Sequence, residues 1–225
     1  MSEAIRLLCD LVAIDSVNPT LVPGAAGEAG FEALLTATNY HSEHENYTAA
    51  VAALARSAPT DPALLIAVRP GMFHPAMYAK MLATLQNLFP GRVRVNIVTG
   101  SSPAENAMYG DNEDHGKRYE RTREFMQILR QLWTAPPPQS FSSDLYSFEN
   151  TVLDPAPVQP IPLYFGGASP VAQGIAADLA DVYLMWGERQ DMLAERLAQM
   201  RALEVQTGRP LRYGLRTHVI VREKE

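Results

Sequence analysis

Short apolar runs alternate with segments of helical period from residue 31 onward, and this alternation constrains the fold more than any other feature of the chain. It is typical of βαβ units, in which parallel strands form a sheet and the helices between them pack on it. Strands are predicted near residues 32–37, 63–68, 93–98, 161–166, 181–185 and 211–221. Helices with an apolar stripe are predicted at Tyr47–Ser57, Pro75–Leu88, Arg118–Trp133, Pro170–Leu179 and Asp191–Gln206. The sequence therefore predicts an α/β fold with about six parallel strands.

The composition indicates a globular protein and argues against several kinds of partner and metal site. The 225 residues are 47% hydrophobic and 20% charged, which is enough for one sizeable core. The net charge of −6 and the lack of a long Lys or Arg run argue against nucleic acid or an anionic membrane as a partner. Cys9 is the only cysteine, which excludes an intramolecular disulfide and a Cys-based zinc cluster. Because neither a signal peptide nor an apolar run of about 18 residues is found, we expect a soluble, cytoplasmic protein with small-molecule and protein partners.

The segment Ile161-Pro-Leu-Tyr-Phe-Gly-Gly-Ala-Ser-Pro-Val171 predicts an anion site. An apolar run breaks at Gly166 and Gly167 and continues as a helix with Ser169 at the N-cap and Pro170 at the first position. The N–H groups and the dipole of such a helix start favour phosphate, and the glycines allow a ligand close to the backbone. A cofactor phosphate is the expected ligand, although an ordinary turn between strand and helix prefers the same residues.

Three further segments carry a family resemblance. They are Asn96-Ile-Val-Thr-Gly-Ser101, Asp114-His-Gly-Lys-Arg-Tyr-Glu-Arg-Thr-Arg-Glu-Phe125 and Tyr213-Gly-Leu-Arg-Thr-His-Val-Ile-Val-Arg222. With Val68-Arg-Pro-Gly-Met-Phe-His-Pro75 and Asp181-Val-Tyr-Leu-Met-Trp-Gly-Glu188, they stand in the order and spacing of the bacterial-luciferase-like flavin monooxygenases. Within that superfamily, residues 31 to 225 most resemble the alkanesulfonate monooxygenases.

The resemblance implies a (β/α)8 TIM barrel and a two-component reaction. Reduced FMN would come from a separate NAD(P)H-dependent flavin reductase and would react with oxygen. The flavin peroxide would then attack a sulfonated carbon and release an aldehyde and sulfite. In such a barrel the ligand lies at the C-terminal ends of the strands.

The resemblance also assigns residues to the flavin. Gly167, Ala168 and Ser169 would hold the FMN phosphate, and His115 and Tyr119 would lie beside the flavin as a His-x-x-x-Tyr pair. In a helix these two side chains are four apart and face the same way. The remaining flavin contacts implied by the resemblance are with the isoalloxazine ring and come from Thr38 and Asn96. All these side chains could instead be structural, for instance by satisfying buried backbone groups.

Two residues near the C-terminus are expected to carry the reaction. Arg216 and His218 alternate with Leu215 and Thr217, so in a strand both face the barrel interior. The resemblance assigns Arg216 to the sulfonate and to the flavin peroxide, a role that suits its planar, permanently charged guanidinium. An interior salt bridge is the alternative. His218 is expected to act as a general acid or base, or else to be a packed polar residue.

The count of strands falls short of the family fold, because six of eight are found. An open six-stranded sheet would leave two unpaired edges, so we expect a marginally stable chain or a homo-oligomer. Residues 134–160 contain six prolines and are predicted to form a long irregular insertion.

The first thirty residues are predicted to be a separate segment, a helix over Glu3–Ile14 followed by a Pro/Gly-rich linker. Leu7-Leu-Cys-Asp-Leu-Val-Ala-Ile-Asp-Ser-Val-Asn-Pro19 resembles the start of the acetylornithine-deacetylase-type zinc amidohydrolases. A foreign N-terminus joined to an internal piece of a monooxygenase would explain this, as would an ordinary leading helix.

The sequence also allows functions other than that of a monooxygenase. The family's first-strand His has no counterpart, its frequent Cys after the second strand is replaced by Ser42, and its closing loop with a further Arg is missing. A non-catalytic fragment that binds flavin weakly or only associates with a partner is therefore the main alternative. An amidohydrolase is disfavoured by the lack of ligand clusters. His41 and His44 alone are weak evidence for a metal, and none is expected. His74 is expected to cap its helix.

Overall fold

The computed structural model describes residues 13–15, 31–38, 45–58, 61–100 and 102–216. The strands of this part are β1 (Ala13–Asp15), β2 (Phe31–Thr36), β3 (Ala63–Val68), β4 (Val93–Ile97), β5 (Gln139–Ser142), β6 (Ser147–Thr151), β7 (Leu163–Phe165), β8 (Val182–Trp186) and β9 (Arg212–Arg216). Its helices are α1 (Asn46–Leu54), α2 (Pro75–Leu88), α3 (Pro103–Ala107), α4 (His115–Thr134), α5 (Pro170–Leu179) and α6 (Gln190–Thr207). No helix in these ranges is long and apolar enough to cross a membrane.

The barrel sheet is built from β2, β3, β4, β7, β8 and β9, which pair in that order and all run parallel. The predicted α/β class, the TIM-barrel type and the count of six parallel strands are confirmed. Five predicted helices are present, and two of them, Pro75–Leu88 and Pro170–Leu179, have the predicted bounds. The predicted last strand ran to residue 221, but β9 is described only as far as Arg216.

The expectation of two unpaired sheet edges is wrong where β1 lies. This short strand pairs antiparallel with β2 and with β9, so the sheet closes into a barrel. Ile14 is opposite Ala33 on one side and Arg216 on the other. The helix predicted over Glu3–Ile14 is therefore wrong at its end, because Ala13 and Ile14 are in a strand, and its earlier residues lie outside the described part. Helical periodicity misled here because three strand residues are too few to show a period of two.

Two apolar layers stabilise the barrel. The smaller one fills the interior with the buried side chains Ala33, Leu35, Ala63, Leu65, Ala67, Tyr164, Val182 and Leu184. The larger one lies between the outer face of the sheet and the helices, where Tyr78, Phe125, Leu129 and Tyr183 are fully buried. Alternate residues of β2, β3, β7 and β8 point to the two layers, as the period of two requires.

The predicted irregular insertion at 134–160 contains regular structure. Strands β5 and β6 form an antiparallel hairpin, and Phe141 and Phe148 stack on it with ring centroids 6.0 Å apart. The hairpin is anchored to α4, where the Ser143 hydroxyl donates to the Glu124 carboxylate at 2.6 Å. Its strands are only four and five residues long and mostly polar, which is why no strand signal was found there.

Candidate active site

A cavity of about 260 Å³ opens where β4, β7, β8 and β9 end, at the C-terminal side of the barrel. The residues that line it are Asn96, Ile97, Val98, Thr99, Gly100, His115, Tyr119, Gly166, Leu184, Met185, Trp186 and Arg216. Four of the predicted site residues are in this set: Asn96, His115, Tyr119 and Arg216. Ligand sites of α/β barrels lie at this end of the strands.

Ser169 begins helix α5 beside the cavity, as predicted. It is the N-cap residue, and its Oγ accepts a hydrogen bond from the Ala172 N–H at 3.2 Å. The N–H groups of Ala168, Ser169 and Val171 donate to no partner within the described residues. Unpartnered N–H groups at a helix start, together with the helix dipole, form an environment that favours an anion.

The two glycines before Ser169 are required by the local packing. A Cβ at Gly166 would overlap the backbone carbonyl oxygen of Leu184 on the neighbouring strand. Gly167 has a φ of +151°, and a Cβ there would lie 2.6 Å from the Ala172 Cβ. The Gly167 carbonyl accepts from the Tyr183 hydroxyl at 2.6 Å, which holds the turn against β8. The backbone at this turn therefore packs against β8 and α5 too closely for a side chain, and it is fixed in position.

His115 and Tyr119 form a pair on the first two turns of α4. Their ring centroids are 4.9 Å apart in an edge-to-face arrangement, as the spacing of four residues predicted. The Tyr119 hydroxyl lies 3.5 Å from the Ser169 Oγ, so the pair reaches the start of α5. Asp114 caps α4, with its carboxylate accepting from the Lys117 N–H at 2.9 Å. Hydrogen bonds to the Lys117 and Gly116 backbone lower the pKa of this exposed carboxyl, so it remains charged at the helix start.

Asn96 supplies a free amide to the floor of the cavity. It is on β4, and only 7% of its surface is exposed. Its side chain makes no hydrogen bond to another described residue, in contrast to most buried amides. An amide carries both donors and an acceptor, so this one can meet either kind of group on a ligand.

Arg216 ends β9, lines the cavity and is held by an aromatic ring. Its guanidinium carbon lies 4.0 Å from the centroid of Trp186, a cation–π contact. No described carboxylate pairs with Arg216, and its buried Nε has no partner in that part of the chain. Burial lowers the pKa of the guanidinium below its ordinary value, but the group keeps its charge at neutral pH. The interior salt bridge considered from the sequence is therefore not seen among the described residues.

Five of the nine predicted residues are not in the cavity lining: Gly167 and Ser169, which form the adjoining turn and helix cap, and Thr38, Ala168 and His218. Thr38 follows β2, and its carbonyl and hydroxyl oxygens accept from Arg69 at 2.8 and 3.4 Å. Ala168 is exposed and immediately precedes the N-cap residue Ser169. His218 lies outside the described residues, as do His41, Ser42 and His44. In the described ranges, no three His, Cys, Asp or Glu residues are grouped as a metal site requires.

Trp186 is a site residue that the sequence analysis did not select. It ends β8, is 56% exposed and forms the base on which Arg216 lies. A signal was available, because Trp186 occupies the last strand position of a segment already identified by resemblance. An exposed aromatic residue at the C-terminal end of a barrel strand has no core to fill and suggests ligand contact.

The chain as a whole can now be assigned. Residues 24–225 match the sequence profile of the luciferase-like monooxygenase family. The chain belongs to this family. The match begins seven residues before the boundary that the sequence analysis placed at residue 31.

Solved structures show the same fold. An F420-dependent secondary alcohol dehydrogenase superposes with a TM-score of 0.71 at 22% identity, over 80% of this chain and 57% of its own. The EDTA monooxygenase EmoA of Chelativorans sp. BNC1 gives 0.68 at 21% identity, over 80% and 49%. The oxygenating constituent of 3,6-diketocamphane monooxygenase from Pseudomonas putida gives 0.62 at 17% identity, over 80% and 54%. The chain therefore spans about half of the length of these proteins.

Proposed function

We propose that this chain is the oxygenating component of an FMN-dependent monooxygenase. In this proposal it takes reduced FMN from a separate flavin reductase and uses oxygen to desulfonate an alkanesulfonate or to oxidise a related organosulfur compound. The observation that carries it is the cavity at the C-terminal end of the barrel, which adjoins a helix start with N–H groups unpartnered among the described residues and is lined by an arginine that no described carboxylate pairs with. The membership of the family supplies the class of reaction.

The residues at the start of α5 fit the phosphate of FMN. Three N–H groups there have no partner among the described residues, and the turn that carries them is fixed by the close packing of Gly166 on β8 and of Gly167 on α5. Ser169 Oγ and the Tyr119 hydroxyl add two further groups that can donate to a phosphate oxygen. In this proposal, these groups would hold FMN by its phosphate and leave the rest of the cavity to the flavin ring.

The remaining lining residues suit the chemistry that a reduced flavin supplies when bound, which is the activation of oxygen for insertion into a substrate. The buried apolar side chains of Leu184 and Met185 line the cavity and, in this proposal, would limit the access of water to the flavin. The amide of Asn96, which no described residue bonds, would be available to a polar edge of the ring, and the His115–Tyr119 pair adds aromatic lining. His218 would supply or accept a proton in this proposal, because imidazole is the usual side chain for that role.

Arg216 is the group that favours a sulfonated substrate. This guanidinium has no carboxylate partner in the described part of the chain, is partly desolvated and lies on Trp186, so it is arranged to receive two oxygens of an anion. Sulfonate presents such oxygens, and so does a carboxylate. The solved relatives differ in cofactor, since the diketocamphane monooxygenase was solved with FMN and the alcohol dehydrogenase with an F420–acetone adduct. The experiment therefore tests two properties directly, the binding of FMN and the turnover of an alkanesulfonate.

The test has two stages. Purified chain is first titrated with FMN, with riboflavin and with F420, and binding is followed by the change in flavin fluorescence. Sulfite release from octanesulfonate is then measured with a flavin reductase, NADPH and oxygen present, and Arg216→Ala serves as the negative control. FMN binding with sulfite release supports the full proposal. FMN binding without sulfite release would favour the alternative, a fragment that binds flavin but does not turn over. Preferred binding of F420 would show that FMN is not the cofactor.

A further inference from the structure

A buried polar cluster lies beside the cavity and is not part of its lining. Arg69 follows β3 and is 6% exposed, and Asn106 on α3 is fully buried. The Arg69 guanidinium donates to the Asn106 Oδ1 at 2.8 Å and to the Thr38 carbonyl at 2.8 Å, and it pairs with Glu105 at 3.0 Å. One side chain thus connects the residues that follow β2 and β3 with helix α3.

Asn106 in turn contacts the cavity wall. Gly100 lines the cavity and has a φ of +87°, and the position of a Cβ on it would lie 2.7 Å from the Asn106 Oδ1. The amide side chain therefore lies directly against the backbone that continues from β4. The Asn106 Nδ2 is buried and has no partner among the described residues, so the amide is held by its oxygen alone.

A buried arginine is costly unless its charge is paired and its donors are used. Here the charge is paired with Glu105, while two donors are directed at groups from two different chain segments. A packed apolar residue would fill the same space without this cost. Stability alone therefore does not explain this arrangement. Its effect is to fix the position of the backbone that Arg69 and Asn106 contact.

We propose that Arg69 and Asn106 are positioning residues that fix the wall formed by Asn96–Gly100, against which the flavin ring would lie. The proposal rests on the flavin site proposed above. Since the cluster lies on the side of the cavity formed by β4, whereas the phosphate is assigned to the start of α5, its loss should weaken FMN and riboflavin binding equally.

The experiment compares two substitutions of Asn106. Asn106→Leu keeps the volume but removes the acceptor for Arg69, and we expect a loss of flavin affinity of about 5- to 20-fold for FMN and riboflavin alike. Asn106→Asp keeps the acceptor and removes the unpartnered donor, so its affinities should stay within about threefold of the parent. Gln86→Leu is the matched control, because Gln86 is also a buried amide, 1% exposed, and contacts residues before β7 rather than the cavity.

A second measurement does not depend on flavin. Hydrogen exchange of residues 96–107 should be faster in Asn106→Leu than in the parent, with residues 163–179 unchanged. If the parent binds no flavin, the proposed function falls, and this exchange pattern alone decides whether the cluster positions the wall. Normal flavin binding and exchange in Asn106→Leu, or equal losses in Gln86→Leu, would overturn the inference. If Asn106→Leu does not fold, Arg69→Lys decides in the same way, because an ammonium keeps the charge for Glu105 but loses the planar fork that reaches both Thr38 and Asn106.

Discussion

The guanidinium of Arg216 lies 4.0 Å from the ring centroid of Trp186, at the mouth of the cavity and without a carboxylate partner among the described residues. The aromatic face holds the cation without neutralising it, so the charge remains available to an anion. This contact joins the ends of two neighbouring strands, since Trp186 pairs with Arg216 in the register of β8 and β9.

Replacing Arg216 by lysine should therefore damage turnover. An ammonium keeps the charge but cannot donate two parallel hydrogen bonds, so we expect kcat/KM for sulfite release to fall at least tenfold. FMN affinity should change less than about threefold, because the phosphate is assigned to the start of α5. Sulfite release and flavin titration of the same preparation check both values. Near-normal sulfite release by the lysine variant would show that Arg216 is not the anion site.

Ser169→Ala tests the phosphate assignment. FMN carries the phosphate and riboflavin does not, so the substitution should weaken FMN binding about tenfold and leave riboflavin nearly unchanged, in line with ~1–3 kcal/mol for a charged hydrogen bond. The substitution also removes an N-cap, which costs about 1 kcal/mol of stability. Glu45→Ala removes the cap of α1 in the same way and is the control. Equal losses for both flavins in Ser169→Ala would refute the assignment.

Gly166→Ala should be strongly destabilising. Its Cβ would overlap the Leu184 carbonyl oxygen, which belongs to the backbone of β8 and can move only if the strands separate. We expect a lower melting temperature and weaker flavin binding. Gly174→Ala is the matched control, because it lies in α5 with no atom within 4 Å of the added Cβ. An alanine there should raise stability by about 0.5–1 kcal/mol, as in other helices. A Gly166→Ala variant as stable as its parent would contradict the close approach of β7 and β8.

The strands and helices that could be predicted from sequence are those with long, clear periodicity. The six parallel strands and α2 and α5 were predicted because each buries a face and because Pro and Ser or His mark the helix starts. The predicted anion site at Ser169 also follows from local chemistry alone, and the structure places a capped, partly unpartnered helix start there. Local signals of this kind are present in the residues themselves.

The features that could not be predicted from the sequence depend on contacts between residues that are far apart in the chain. Strand β1 has three residues, and its role comes from partners near residues 33 and 216. Trp186 and Arg216 are thirty residues apart, and only the register of β8 and β9 brings them together. The Arg69–Asn106 contact likewise joins residues 37 apart. None of these pairs has a spacing that a periodicity would reveal.

Tyr164 predicts a dependence of stability on alkaline pH. It is 2% exposed, its hydroxyl donates to Glu32 at 3.1 Å, and burial followed by the Glu32 charge raises its pKa to about 12. A raised folded pKa means that the neutral form is favoured, so the stabilisation is complete below about pH 10 and is lost as the pH rises to about 12. A shift of about two units corresponds to roughly 3 kcal/mol.

Tyr164→Phe removes this group from the titration. At pH 8 the variant should be less stable by about 1 kcal/mol, because the hydrogen bond to Glu32 is lost. Between pH 10 and 11.5 the difference should shrink and then reverse, which urea unfolding followed by circular dichroism would show. The other buried tyrosines titrate in both proteins and cancel in the comparison. A difference that stays constant over this range would contradict the raised pKa.

The closure of the barrel by β1 gives the last prediction. Ile14 is opposite both Ala33 of β2 and Arg216 of β9, so its backbone belongs to both sides of the closing contact. Ile14→Pro removes a backbone N–H and fixes the φ angle. A strand that pairs on both sides does not tolerate a proline. We expect a lower melting temperature and weaker FMN binding together, since β9 carries Arg216 into the cavity.

Glu149→Pro is the control for this prediction, because it places a proline in β6 of the hairpin, outside the barrel sheet. It should leave FMN affinity unchanged. If Ile14→Pro matches its parent in both measurements, β1 does not close the barrel, and light scattering should then show an oligomer formed through the free edges of β2 and β9.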